Sequence, residues 1–266
     1  MIGLLKRQPL VQRLKGLPLA ERWRARAYFW KEFNETGEWE LKALPAYVPR
    51  SRIAIDVGGN IGVYSYHLGR LARAVVTFEP NPVFAERLKR TGLAGRLEEV
   101  ALSDRSGTAE LRIPLWRGEA CAGMGSLEAG AVPGSILAET VRVPARRLDD
   151  YEFSDVGFIK IDVEGHEERV LEGGRQTLAR ERPALLIEIE DRHNPGGLER
   201  VGSFLTDYEG YFFTEGRRRP LSDFDPAIHQ RPEDLDAAYE ARRQSPYVNN
   251  FLFLPTRRPA DTTAQP

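Results

Sequence analysis

Five short apolar runs constrain this chain more than any other feature. They are residues 53–57, 74–78, 97–102, 158–163 and 184–189. A strand buried on both faces reads as such a run, without the polar alternation of a half-exposed strand. Helical patterns follow most of them, at 62–73, 82–92 (with Pro82 in a permitted first-turn position), 167–178 and 198–208. A break is expected at Gly173-Gly174. Strands alternating with helices give a parallel sheet wound on both faces. Residues 211–214 and 251–254 add two strands with no clear helix between them, which predicts an antiparallel strand at the sheet edge. Residues 108–115 and 140–145 read as two further strands or a hairpin pair. The Gly-rich stretch 118–134 between them is expected to be a mobile loop.

The predicted fold class is therefore α/β: a doubly wound, mostly parallel, seven-stranded sheet with an antiparallel edge strand and an N-terminal helical extension. The division is 1–50 for the extension, 51–255 for the sheet domain and 256–266 for a disordered tail. Residues 19–33 form an amphipathic helix bearing Trp23, Tyr28, Phe29, Trp30 and Phe33, read as packing on the sheet or as a lid.

Net charge is −1, with 41% hydrophobic and 29% charged residues, so no global field draws the chain to nucleic acid or an anionic membrane. The clusters Arg217–Arg219 and Arg142, Arg146, Arg147 read as solvated faces or contacts to a substrate anion. Cys121 is the one cysteine, so no intramolecular disulfide and no zinc spacing exists. The N-terminal apolar stretches are too short for a signal peptide or a membrane span. A cytoplasmic protein without membrane or nucleic-acid partner is expected.

Ligands of open α/β sheets bind at the carboxyl ends of the strands, near the switch point of the winding. The turn after the first strand reads Asp56-Val57-Gly58-Gly59-Asn60-Ile61-Gly62. It lacks the dinucleotide spacing, and its acid disfavours a pyrophosphate. A cationic ligand with an amino-acid end fits better, held by Asp56, Gly58, Gly59, Asn60 and Gly62. Glu79, ending the second strand, can accept hydrogen bonds from both hydroxyls of a ribose. Ser103 and Asp104, after the third, are placed for an adenine amine.

The fourth strand runs into Lys160-Ile161-Asp162-Val163-Glu164-Gly165-His166-Glu167, and the fifth ends in Glu188-Ile189-Glu190-Asp191-Arg192-His193. These polar groups gather beside the first site. Asp162, Glu164, His166, Glu188 and His193 are candidate bases or aligning groups for an incoming hydroxyl, and Asp162 can also touch the cofactor. Lys160 also reads as a partner for one of the carboxylates, and Glu164 as a cap for the helix that follows. His67 and His229 read as structural. No residue is assigned to a metal, although clustered carboxylates can take Mg2+ through oxygen.

Together these segments resemble the FkbM family of S-adenosylmethionine-dependent methyltransferases over about 53–190. Carrying the resemblance are Ile55–Gly62, Phe78-Glu79-Pro80-Asn81, Ala101–Asp104, Leu148-Asp149-Asp150 and above all Ile159–Glu167, with Asn249–Phe253 similar to the family's closing strand. The resemblance implies a Rossmann-like class I methyltransferase fold. It also implies S-adenosylmethionine as cofactor and O-methylation of a sugar, glycan or polyketide- or macrolide-type hydroxyl. By position it gives Asp56, Gly58, Asn60, Glu79 and Asp104 to the cofactor, and Asp162, Glu164 and His166 to the reaction centre. The alternatives are a non-catalytic relative that binds cofactor or glycan, and an NAD-dependent oxidoreductase.

Overall fold

The computed structural model describes residues 18–36, 38–116, 119–120, 125–128, 138–192, 194–234 and 246–256. A helix α1 (Pro18–Lys31) and a short helix α2 (Trp39–Ala43) precede the alternating part: β1 (Ile53–Val57), α3 (Val63–Leu71), β2 (Ala74–Phe78), α4 (Pro82–Thr91) and β3 (Arg96–Glu98). Next come β4 (Ala101–Leu102), β5 (Gly107–Trp116), β6 (Glu119–Ala120) and β7 (Ala138–Arg146). The chain then returns through β8 (Val156–Ile161), α5 (Glu167–Gly173), α6 (Arg175–Glu181), β9 (Ala184–Glu188), α7 (Gly197–Phe204), β10 (Tyr208–Thr214), β11 (Arg217–Pro220), α8 (Pro226–His229) and β12 (Asn250–Pro255).

The main sheet has the order β11-β10-β12-β9-β8-β1-β2-β3. β1 pairs in parallel with both β2 and β8, so the winding reverses there and opens a crevice above the ends of β1 and β8. All six residues of β8 are buried, as a strand covered on both faces requires. Side chains of the central strands alternate between two cores. Ile55, Val57, Ile159 and Ile187 meet Val170, Leu171 and Leu178 of α5 and α6 on one face. Ala54, Phe158 and Leu186 meet Leu41, Leu44 and Leu68 on the other, the side of α2 and α3.

Three details depart from the sequence-based expectation. The sheet has eight strands, because Arg217–Pro220 adds an edge strand antiparallel to β10. Its side chains are all exposed, and a charged edge of this kind resists pairing with another chain. The last strand, β12, lies inside the sheet, antiparallel to both β9 and β10. The apolar run 97–102 also splits. β3 pairs with β2 at the edge, whereas Ala101 and Leu102 leave to pair with β7 in a second sheet ordered β4-β7-β5-β6. Burying those two side chains beneath the second sheet draws the run apart. β5 and β7 pair antiparallel from Gly107↔Ala145 to Pro114↔Ala138. Arg142 and Arg147 lie on its solvated face, beside Glu110 and Asp150 respectively.

The N-terminal helix is also not what its aromatic residues suggest. Among them Phe29 is buried, against Tyr66 of α3 with ring centroids 5.4 Å apart, and Phe33 stacks on His67 at 4.9 Å. Trp23 and Trp30 stay in solvent. The helix packs on α4, where Glu21 pairs with Arg90, and not directly on the sheet. His67 Nε2 donates to Phe29 O (3.2 Å), and His229 stacks on Phe224 at 5.2 Å, both within packed structure.

The expected helix break is real: α5 ends at Gly173 and α6 begins at Arg175. A Cβ on Gly173 would lie 2.0 Å from the carbonyl oxygen of Ser103, so this glycine lets the helix rest on the chain leaving β4. Gly173→Ala is expected to destabilise the fold by about 1–3 kcal/mol through overpacking against rigid backbone. Urea denaturation of the variant beside the parent chain measures it.

Candidate active site

The crevice above β1 and β8 is closed by backbone before any side chain enters it. Asp162 N donates to Val57 O (2.9 Å), while Gly58 N and Gly59 N donate to Phe78 O (2.9 and 3.0 Å), so one turn ties the ends of three strands. A Cβ at Gly58 would stand 1.8 Å from Asp162 O, and its φ is +88°. Only glycine allows that approach. Gly62 N donates to Gly59 O (2.8 Å) and leads into α3. Gly59 and Gly62 thus shape the turn, whereas Gly58 and Asn60 line the cleft.

Glu79 organises the next wall. Its two carboxylate oxygens accept from Asn60 N (2.6 Å) and Asn81 N (2.7 Å), so one side chain ties the glycine turn to the start of α4. Burial pushes its pKa up to about 7, against the pull of those two amides. Asn81 caps α4 by accepting from Val83 N at 3.0 Å. Asp56 does not line the cleft. It is buried under the turn, where it accepts from Ser65 Oγ, and Ser65 in turn bonds Thr77 Oγ1 at 2.9 Å. Burial raises the Asp56 pKa to about 6. Its place is a support for the turn rather than a direct ligand contact.

The cleft is partly open to solvent. Away from the glycine turn its lining is apolar, with Phe84, Val100, Leu102, Leu111 and Leu127. Leu127 comes from the stretch read as a mobile loop. Residues 125–128 are instead fastened: Ser126 exchanges backbone hydrogen bonds with Arg112 (2.9 and 3.0 Å), and its hydroxyl donates to Glu164 O (2.6 Å). Glu128 meets His166 Nδ1 at 2.7 Å, and Ser103 Oγ meets His166 Nε2 at 3.0 Å. Both ring nitrogens of His166 are therefore engaged, and burial holds its pKa below the ordinary histidine range despite the Glu128 carboxylate. His166 is a wall of the cleft that braces the segment 125–128, and the structure does not set it among the groups of the polar cluster described next.

Asp104 lies outside the cleft too. Its carboxylate accepts from Arg169 Nη1 (2.8 Å) and Ser103 Oγ (3.1 Å) in an adjoining polar hollow. The adenine contact expected of Ser103 and Asp104 is not supported by this placement. Glu164 lines the cleft, and it holds a left-handed φ of +52°. Glu167, buried at the start of α5, accepts from Gly165 N (2.9 Å), and burial raises its pKa to about 7. His193 lies outside the described residues.

A second polar group adjoins the cleft through Asp162. Lys160 is fully buried, with Nζ 3.6 Å from Asp162 Oδ2, 3.8 Å from Glu188 Oε2 and 5.0 Å from the centre of the Tyr64 ring. Burial alone would lower its pKa, but Asp162, Glu188, Glu38 and Asp56 outweigh that and hold it above the ordinary lysine value. Glu188 is also raised, but for a different reason: burial, reinforced by Asp162, pushes its carboxyl well above the usual range. The N-terminal extension completes the group. Tyr64 donates to Glu38 Oε2 (2.5 Å), as does Asn250 Nδ2 (3.3 Å), and Asn249 Nδ2 donates to Glu188 Oε1 (2.8 Å). Asn250 Oδ1 is buried without a hydrogen-bond partner among the described residues. No set of three or more His, Cys, Asp or Glu among the described residues is arranged to hold a metal ion.

Sequence reasoning thus brought Asp162 and Glu188 together correctly in space, and missed Glu38, Tyr64, Asn249 and Asn250 as their neighbours. The Asn doublet heading an apolar run was the available signal, since Asn250 stands opposite Glu188 in the sheet register. Glu38 carried no signal, being 212 positions from Asn250. Removing the ammonium should expose how the cluster is balanced. Lys160→Met is expected to cost about 3 kcal/mol at pH 8, where Asp162 and Glu188 lose their shared counter-charge. The cost should shrink at pH 5, where Glu188 binds a proton more readily in the folded variant than in the unfolded chain, so that stability falls as pH rises. Chemical denaturation at the two pH values checks this.

Comparison with known proteins adds the family. Residues 56–218 match the Methyltransferase FkbM domain. A protein of Streptomyces tacrolimicus, 31-O-demethyl-FK506 methyltransferase FkbM, is 32% identical over 193 residues, covering 61% of this chain and 72% of that one. The crystal structure of methyltransferase FkbM from Methylobacillus flagellatus KT is 16% identical with a TM-score of 0.47, covering 92% of this chain but 56% of that one. This chain therefore spans little more than half the length of that structure. An rRNA methylase from Streptococcus thermophilus is 14% identical with a TM-score of 0.42, over 82% of this chain and 95% of that one. With the family's domain matched across more than half of its length, this chain belongs to the FkbM methyltransferase family.

Proposed function

We propose that the protein is an S-adenosylmethionine-dependent O-methyltransferase acting on a hydroxyl of a sugar, glycan or polyketide- or macrolide-type natural product. The observation that carries this reading is the junction of two sites at the strand ends. A long cleft, polar at the glycine turn and apolar at its far end, meets the Lys160–Glu188 cluster at Asp162. The residues present suit the cofactor. The backbone cradle at Gly58 and Asn60, with Asp162 beside it, would take the amino-acid end. Glu79 would accept the ribose hydroxyls, and Phe84, Val100, Leu102 and Leu127 would cover the base. When bound, S-adenosylmethionine supplies an electrophilic methyl group on a sulfonium. The S. tacrolimicus relative, by its name, methylates an oxygen of a macrolide, which supports an oxygen acceptor here.

What the chain itself contributes is alignment and a proton sink. Glu188 takes the hydroxyl proton: its carboxylate stands beside Asp162 at the strand ends, 3.8 Å from the Lys160 ammonium, and burial raises its affinity for a proton. Lys160, buried and held cationic, keeps Asp162 and Glu188 from repelling each other. Asn250 Oδ1 offers a buried acceptor to a second hydroxyl. His166 serves the cleft wall and not the proton, which replaces the role that position alone gave it.

Two measurements test this. Glu188→Gln should leave the affinity for S-adenosylhomocysteine unchanged in calorimetry and lower turnover about 100-fold or more on any accepted hydroxyl substrate. Full turnover in that variant would remove Glu188 as the base. Affinity should also follow the state of Glu79. Its carboxyl is protonated below about pH 7 and becomes a full acceptor above it, so S-adenosylhomocysteine should bind roughly tenfold tighter at pH 8 than at pH 6. Glu79→Gln should bind weakly at both values and lose the pH dependence.

A further inference from the structure

The net charge of −1 conceals an uneven distribution. Residues 1–31 contain Lys6, Arg7, Arg13, Lys15, Arg22, Arg24, Arg26 and Lys31 against a single acid, Glu21. Glu21 is spent on Arg90. The rest of the chain is accordingly acidic, and the positive potential is concentrated at one end.

The same end carries an apolar stripe that the fold does not cover. Leu19, Trp23, Arg26 and Trp30 are spaced i, i+4, i+7 and i+11, so they share one face of α1 over about 16 Å. Leu19 is 80% exposed, Trp23 76% and Trp30 60%. A flanking face, about 110° round the helix, holds Ala25 and Phe29, both buried against the domain. The helix is anchored by that flank and leaves the stripe exposed. Arg22, Arg26 and Lys31 are exposed around the stripe.

We infer that α1 is a peripheral docking face for a bilayer that contains anionic lipid. Indole rings favour the headgroup level of a bilayer, where an apolar body and an N–H both find partners. Basic residues beside them are drawn by the negative surface potential. Charge complementarity favours the anionic surface over a second copy of this chain, whose own α1 would oppose cation to cation. This docking face departs from the expectation of no membrane partner, which rested on net charge and on the shortness of the N-terminal apolar stretches. No helix among the described residues is long and apolar enough to cross a membrane, so the contact is with a surface.

The test is co-sedimentation of the full chain with vesicles of phosphatidylcholine alone and of phosphatidylcholine with phosphatidylglycerol, at low and high salt. Binding to the anionic vesicles that weakens about tenfold or more in Trp23→Ser/Trp30→Ser, and also in Arg22→Gln/Arg26→Gln, is the expected result. Absence of binding to anionic vesicles overturns the inference, as does binding that is indifferent to the tryptophan pair. Sedimentation velocity separates the rival occupant: a dimer that dissociates in Trp23→Ser/Trp30→Ser and ignores vesicles would give this face to a second copy. These positions touch neither the cleft nor the Lys160 cluster, so failure here leaves the proposed methyl transfer standing.

Discussion

One buried ammonium holds the functional end of this protein together. Lys160 is the last residue but one of an otherwise apolar, fully buried strand, where an unpaired cation is strongly disfavoured. Its neighbours remove that cost: Asp162 from the same strand end, Glu188 from the adjacent strand, and the Tyr64 ring from α3. The arrangement works in both directions. Burial raises the Glu188 carboxyl, the Asp162 charge adds to that, and the Lys160 charge opposes it. Without the cation, one of them would have to be neutral or the strand ends would have to part. Since Asp162 also carries the backbone that Gly58 rests on, the geometry of the cleft depends on that charge being in place.

The acids around this centre are poised, and for a common reason. Asp56, Glu79 and Glu167 have pKa values lifted to about 6, 7 and 7, and Glu40 to about 8, with burial the leading cause in each case. Backbone amides oppose the shift at Glu79 and Glu167, and a serine opposes it at Asp56. Such groups are costly to the fold when ionised, so they lower stability as pH rises from the ordinary carboxylate range through these values. A cationic ligand arriving in the cleft would relieve part of that cost, so the electrostatics of the site suit the cofactor we propose it binds.

Much of the fold could be read because it is written in local patterns. The runs at β1, β2, β8 and β9 are apolar on both faces, and turn residues end them. The glycine turn and Glu79 followed from the rule that ligands gather at the switch point. What escaped was decided by distant parts of the chain. The run 97–102 looks continuous, yet two sheets compete for it and divide it. Asp104 and His166 have the right residue types at the right strand ends, but Arg169 and Glu128 claim them. Asp56 points below the turn because its place in the register, opposite Lys160, sends it to the α3 face of the sheet. Side-chain direction at a strand end depends on parity, and a residue one position along faces the other way.

The N-terminal extension shows the limit of pattern reading and its physical origin. Trp23, Phe29 and Trp30 look alike as aromatic positions on one helix, but they differ by 100° steps around its axis. Phe29 turns inward to Tyr66, while the tryptophans turn outward. A few residues later Glu38 enters the polar cluster through Tyr64 and Asn250. The extension therefore joins the domain at two points, an apolar one on α3 and α4 and a polar one at the Lys160 centre. A segment tied by Glu38 to the groups proposed to receive the acceptor, and bearing exposed indoles on its outer side, sets the orientation of the cleft relative to any surface those indoles meet. Orientation of that kind follows from rigid packing alone, with no moving part required.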